Sequence, residues 1–267
     1  MKVFLLLSFA LLSAYSVVVS QDAENPLDPG AKPKRIYIGP AAGVNITGNG
    51  GSFSSLSGEA NCPEFTAGNA IGFYLGLTAE YMLGEDANSN SSIIARVLYD
   101  NMPIFFTVPG QEYPAQYPNG QVVNTTTSHE IQITYPMLTT EILYKINPFG
   151  NLFGFTVGPS FGIPIGGEQE ERFNLVNPPE AQFIKDPNID PARYTNFDRT
   201  LIYYKDVIPN ANPFRFALKV GAHLEISQGK MLIVPNINYN FGITTVNSKD
   251  AWRINALQAG VDVRFAI

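Results

Sequence analysis

Arg215, Lys219, His223 and Glu225 sit at alternate positions of one short segment. In an extended backbone, successive side chains point to opposite faces, so all four would share one. Two permanent cations, an imidazole and a carboxylate on one face can hold an anion, relay a proton or neutralise one another. Glu80, Arg96, Asp100, Asp262 and Arg264 fall on the corresponding face of their own segments. The other histidine, His129, follows Thr127 and Ser128, but adjacent residues of a strand face apart, which weakens any pairing of a seryl nucleophile with a base. No enzyme activity is expected. Cys62 is the single cysteine, which leaves no intrachain disulfide and no CxxC motif, so it reads as a plain loop residue. No metal or other cofactor is expected.

Positioning these groups requires strands, and the apolar pattern supplies them. Ile36, Ile38, Pro40, Ala42, Val44 and Ile46 take every second place, as do Ile71, Phe73, Leu75, Leu77, Ala79, Tyr81 and Leu83. That is period 2, not 3.6. Further runs begin near Ser92, His129, Leu152, Phe214 and Met231, and LQAGVDVRFAI, 257–267, closes the chain. This makes about eight strands, each matching the roughly 9–11 residues that cross a bilayer at a tilt.

The connections alternate in length. GEDANSN (84–90), NPFGN (147–151) and SQGK (227–230) are short turns, whereas residues 48–66, 101–128 and 167–213 are long links, with a shorter fourth at 247–252. In an up-and-down meander all the short turns gather at one end and the long loops at the other. The face opposite the apolar one carries Gly39, Gly43, Gly72, Gly76, Gly154, Gly158, Gly162, Gly221 and Gly260, with Asn236, Asn238 and Asn240, a composition suited to a narrow polar lumen. Aromatics form two groups. Tyr81, Tyr144, Phe153, Phe155 and Phe265 lie near the turn end, and Tyr99, Tyr135, Phe161, Phe214, Phe216, Tyr239 and Phe241 near the loop end, as two interfacial girdles would. The predicted fold is all-β: an eight-stranded antiparallel up-and-down transmembrane β-barrel with short periplasmic turns and long extracellular loops. A soluble secreted barrel around a small apolar ligand is the competing architecture.

Composition agrees. Charged residues are 15% of 267, against roughly 25% in average soluble domains. The net charge of −6 and the absence of Lys/Arg runs argue against a nucleic-acid partner. Lys2, the apolar VFLLLSFALL and the small residue Ser20 before Gln21 form an export signal, predicting residues 1–20 as signal peptide, 21–34 as a periplasmic linker and 35–267 as the barrel.

On these features the mature chain resembles the small OmpA-like, porin-family outer-membrane β-barrels of Bacteroidota and related Gram-negative bacteria. The resemblance rests on architecture and implies a last strand read by the barrel-assembly machinery. Val261, Val263, Phe265 and Ile267 would form that signal, displaced because Ala266 and Ile267 follow the aromatic. It further implies a monomer in outer-membrane lipid. The nine charged or titratable residues named at the outset are expected to form a lumen charge network that plugs the barrel, with a narrow porin-like channel as the alternative. The 167–213 loop, rich in Pro and aromatics, is the expected site for an extracellular or secretion partner, through Phe183, Arg193, Tyr194, Phe197, Tyr203 and Tyr204.

Overall fold

The computed structural model describes residues 35–52, 64–83, 90–148, 152–250 and 252–267. The expected signal peptide and linker, Cys62 and most of the 84–90 turn lie outside them. Alternating apolar residues give strands almost throughout. The first half holds β1 (Ile36–Gly50), β2 (Gly68–Met82), β3 (Ser91–Asn101), β4 (Ile104–Pro109), β5 (Tyr113–Gln116), β6 (Val122–Thr134) and β7 (Pro136–Ile146). The second holds β8 (Phe153–Pro164), β9 (Glu168–Asn177), β10 (Tyr194–Thr195), β11 (Thr200–Val207), β12 (Arg215–Leu224), β13 (Ile226–Gln228), β14 (Met231–Gly242) and β15 (Arg253–Ala266).

Eight of these close into an antiparallel barrel in simple chain order, β1-β2-β3-β7-β8-β12-β14-β15, with β15 returning to β1 from Tyr37↔Ala266 to Gly50↔Arg253. Closure leaves the barrel no free edge. Its polarity is inverted relative to a soluble barrel. Ile71, Leu75, Leu77, Ile142, Val157 and Ile237 are exposed around the outside, while Thr78, Glu80, Arg96, Glu141 and Asn238 are buried within. Such an outer surface is solvated far better by hydrocarbon than by water. Inside, Gly43 and Gly260 face each other across the β1–β15 seam, and a Cβ on either would strike the ring of buried Tyr74. The missing side chains are the room that this ring fills.

The long links are themselves strands. β3, β7 and β8 continue past the rim as β4, β6 and β9, and a second sheet runs β2-β4-β6-β9-β11-β10 from the rim end of β2 outward. The fourth run therefore begins at Val122, not near His129, and its barrel part begins at Pro136. Proline has no N–H for the ladder, so the chain can exchange neighbours there: β6 pairs β4 and β9, whereas β7 pairs β3 and β8. Tyr135 is correspondingly no girdle residue. It shares the inward parity of Ile131, Ile133 and Met137 and is buried among them.

Two apolar cores result. One closes the loop-end mouth, joining Phe65, Met102, Phe106, Ile133, Ile208 and Trp252 from segments far apart in sequence. The other lies under the outer sheet and contains Ala115, Leu175, Ala181, Phe183, Tyr194 and Leu201.

Candidate functional site

Among the described residues the lumen holds five carboxylates, Glu80, Asp100, Glu141, Glu225 and Asp262, and five cations, Arg96, Lys145, Arg215, Lys219 and Arg264, all buried. The charges of these ten cancel. Most are linked in one alternating series. Lys219 pairs with Glu141, which lies 3.6 Å from Arg96, and Arg96 Nη2 is 2.7 Å from Asp262 Oδ2. Arg264 bridges Asp262, at 2.5 Å, to Glu80, and Lys145 bridges Glu80 to Glu225. His223 Nε2 lies 3.3 Å from Glu225 Oε1 and 3.0 Å from Asn147 Oδ1 at the turn end. Ser92 donates to Glu80 at 2.5 Å.

Two expected members stand apart. Asp100 accepts from Asn45 at 2.6 Å, and Asn45 in turn accepts from Gln258 at 2.8 Å. Arg215 donates to Asn240 Oδ1 and to the Ile254 carbonyl, just beneath the apolar mouth. Glu141, which joins Lys219 to Arg96, and Lys145, which joins Glu80 to Glu225, were absent from the sequence expectation. Both lie on the inward parity of β7 that the outward Tyr144 implies.

A buried ionic series of this kind is demanding, because each charge loses its hydration and regains stability only through well-placed partners. Among the described residues it fills the interior with charges of both signs and leaves no open row of one sign. Above it lies the apolar cluster of the loop-end mouth, with Trp252 edge-on to Phe106 at 6.2 Å between centroids.

In the outer sheet, Phe183 and Tyr194 are not surface residues as expected but are 3% and 8% exposed in the second core, because a folded excursion needs an interior of its own. Arg193 is exposed and donates to the Tyr203 carbonyl at 3.1 Å. Tyr203 is partly exposed, and Tyr204 donates through its hydroxyl to the Val207 carbonyl at 3.1 Å. Phe197 alone of the six is nearly free, 87% exposed. It sits in a run of left-handed backbone with φ of 52°, 56° and 60° at Asn196, Phe197 and Asp198. For a bulky residue such as Phe197 this costs about 1–2 kcal/mol, whereas Asn and Asp tolerate it better. Val261, Phe265 and Ile267 point outward from β15, Val263 is half-buried on the same side, and the Ile267 N–H donates to the Ile36 carbonyl at 3.0 Å. His129 stacks on Phe173 with centroids 4.6 Å apart, and burial lowers its pKa, so it is neutral near pH 7. Ser128 faces the other way.

No protein-family model and no curated protein matches the chain. Among solved structures it is similar to Ail, the attachment invasion locus protein of Yersinia pestis, at 12% identity and a TM-score of 0.33, covering 86% of this chain and 99% of that one. It is also similar to Neisserial surface protein A at 10% identity and a TM-score of 0.35, covering 87% and 97%. The outer membrane protease OmpT from Escherichia coli matches at 7% and 0.31, covering 88% and 97%. Superposition this loose leaves the fold assignment resting on strand order and register.

Proposed function

We propose that this chain is an OmpA-like β-barrel of the bacterial outer membrane that serves a structural or interaction role, with a closed lumen and a folded outer sheet for partners. One observation carries the reading: the barrel is apolar outside, and charge-neutral and ion-paired inside. Lipid favours the first, and a filled eight-stranded interior favours the second. The short connections then face the periplasm and the outer sheet faces the exterior. The outward row Val261, Val263, Phe265 and Ile267 supports a role as the assembly signal, and the export signal is cleaved between Ser20 and Gln21.

Purified protein reconstituted in planar bilayers should be silent, should require detergent for extraction, and should change gel mobility on heating. Stable large-conductance openings would refute the closed lumen. Extraction by buffer alone would refute the membrane reading. Intact mass of the membrane-inserted form should begin at Gln21, and retention of Met1 would refute the cleavage.

A further inference from the structure

The outer face of the β6-β9-β11 sheet is a groove of about 710 Å³, within the range of about 300–1,000 Å³ typical of small-ligand sites. Its cross-strand rows are set by register. Ser128, Asn174 and Thr200 form one, and Glu130, Arg172 and Ile202 the next. The Asn174 amide donates to Ser128 Oγ at 3.4 Å and accepts from Thr200 Oγ1 at 2.8 Å, which fixes its orientation. A bulge between Ile202 and Tyr204 shifts the parity of β11 and sets Lys205 opposite Glu170. Without it Lys205 would point to the other face. Glu170 then receives Arg172 Nε at 2.6 Å and Lys205 Nζ at 2.9 Å. Partial burial raises its pKa, but those two cations outweigh burial and hold it below the usual carboxylate range.

The lining therefore balances: Glu130 and Glu170 against Arg172 and Lys205. The surroundings do not. Residues 102–135 and 165–214 carry ten carboxylates against five Lys and Arg, so an anionic ligand approaches a field of its own sign. The groove offers fixed amides and hydroxyls that donate and accept, plus aliphatic surface at Val176 and Ile202, with no net charge. That set matches a ligand dense in hydroxyls with apolar C–H faces.

The lip of the groove adds an independent observation. Asn196 lines it, and the next residue is Phe197, held nearly bare on left-handed backbone that bulky L-residues avoid. The turn is clamped from behind. Arg199 donates to the carbonyls of Leu175 at 2.9 Å and Val176 at 3.2 Å, and Lys185 pairs with Asp198 at 2.9 Å. The Phe183 N–H also donates to the Asp198 carbonyl at 2.8 Å. Strain maintained by this many contacts marks a site whose shape matters, and an exposed aromatic ring is a stacking surface for the apolar face of a sugar.

We propose that this groove binds an uncharged oligosaccharide, with Asn174, Arg172 and Thr200 contacting hydroxyls and Phe197 stacking at the lip. The proposal rests on the outer sheet lying outside the bilayer. Full-length protein in detergent is titrated calorimetrically with maltohexaose, cellohexaose, xylohexaose and mannohexaose, and with a chondroitin sulfate hexasaccharide as the anionic arm. At least one neutral hexasaccharide should bind with Kd between about 10 μM and 1 mM, and Asn174→Ala and Phe197→Ala should each weaken it by about tenfold or more. Phe197→Trp should retain binding. Heat-modifiable mobility of each variant separates lost binding from lost folding, and detergent dependence of the parent tests the membrane reading separately. The proposal is overturned if all four neutral sugars fail at about 10 mM, if the sulfated sugar binds, or if both alanine variants bind as the parent does.

Discussion

Glu141 is the residue whose loss should be felt most. It joins Lys219 to Arg96, and all three are at most 2% exposed. After Glu141→Ala, Arg96 keeps Asp262 at 2.7 Å, but Lys219 has no other carboxylate within 4.0 Å among the described residues. Lys219 would keep only the more distant charge of Asp100 and the Tyr74 ring at 6.0 Å, and a buried ammonium that loses its direct partner costs about 3–5 kcal/mol. Arg96→Ala should sit near the lower end of that range, since Glu141 keeps Lys219 and Asp262 keeps Arg264. With m near about 2 kcal/mol/M in urea, the Glu141→Ala midpoint falls by roughly 1.5–2.5 M. Trp252, the single tryptophan, is fully buried in the apolar mouth and reports the transition by fluorescence in lipid vesicles. Replacing both partners, Glu141→Leu with Lys219→Met, should restore most of the loss, because a buried pair exchanged for apolar side chains of similar volume is often neutral. An unchanged midpoint for Glu141→Ala, or a double variant weaker than the single one, would refute the claim that this pair is energetically coupled.

Gly260→Val should cost about 1–3 kcal/mol by overpacking against Tyr74, and Tyr74→Ala should recover part of it in the same melts. Phe197→Gly should raise stability by about 0.5–1 kcal/mol by relieving left-handed backbone, whereas Phe183→Ala, in the second core, should lower it by about 3–5 kcal/mol. Thermal melts of the two variants must therefore move in opposite directions. His129 has a folded pKa below its ordinary 6.5 because burial disfavours the cation. The unfolded chain then binds the proton first as pH falls, so stability is unaffected above 6.5 and declines below it. Hydrogen exchange of β6 amides at pH 7.5 and 5.5 should show the loss, and His129→Gln should flatten it.

Period-2 alternation was enough to read the barrel and its inverted polarity, because each barrel strand exposes one face and buries the other. Where that contrast ends, so does the signal. Beyond the rim both faces of β6, β9 and β11 meet protein or water, and their pairing is decided by residues tens of positions apart. Tyr135 cannot be a girdle residue alongside outward Tyr144, nine places on, because the two have opposite parity, and Pro136 marks where the strand leaves the barrel. Glu141 and Lys145 were within reach. Once Tyr144 is placed outward, residues 141 and 145 must face in, and carrying that parity through MLTTEILYKI would have named both. The burial of Phe183 and Tyr194 was not legible, since exposed and buried aromatics look alike in a segment with no regular period.

The continuity of β6 with β7, and of β8 with β9, has a mechanical consequence. Each pair runs from the far tip of the outer sheet to the opposite rim with only Tyr135, or residues 165–167, between. The tip at 195–200 begins six register pairs above Val207↔Glu168, at Thr200↔Asn174, roughly 20 Å out at about 3.3 Å per residue. A pull applied there travels along the strands and loads the barrel ladders lengthwise, so many hydrogen bonds resist together in shear where a peeled strand would yield them singly. A load at the tip would thus strain the whole cylinder at once, and a contact made there should fail before the barrel ladders part.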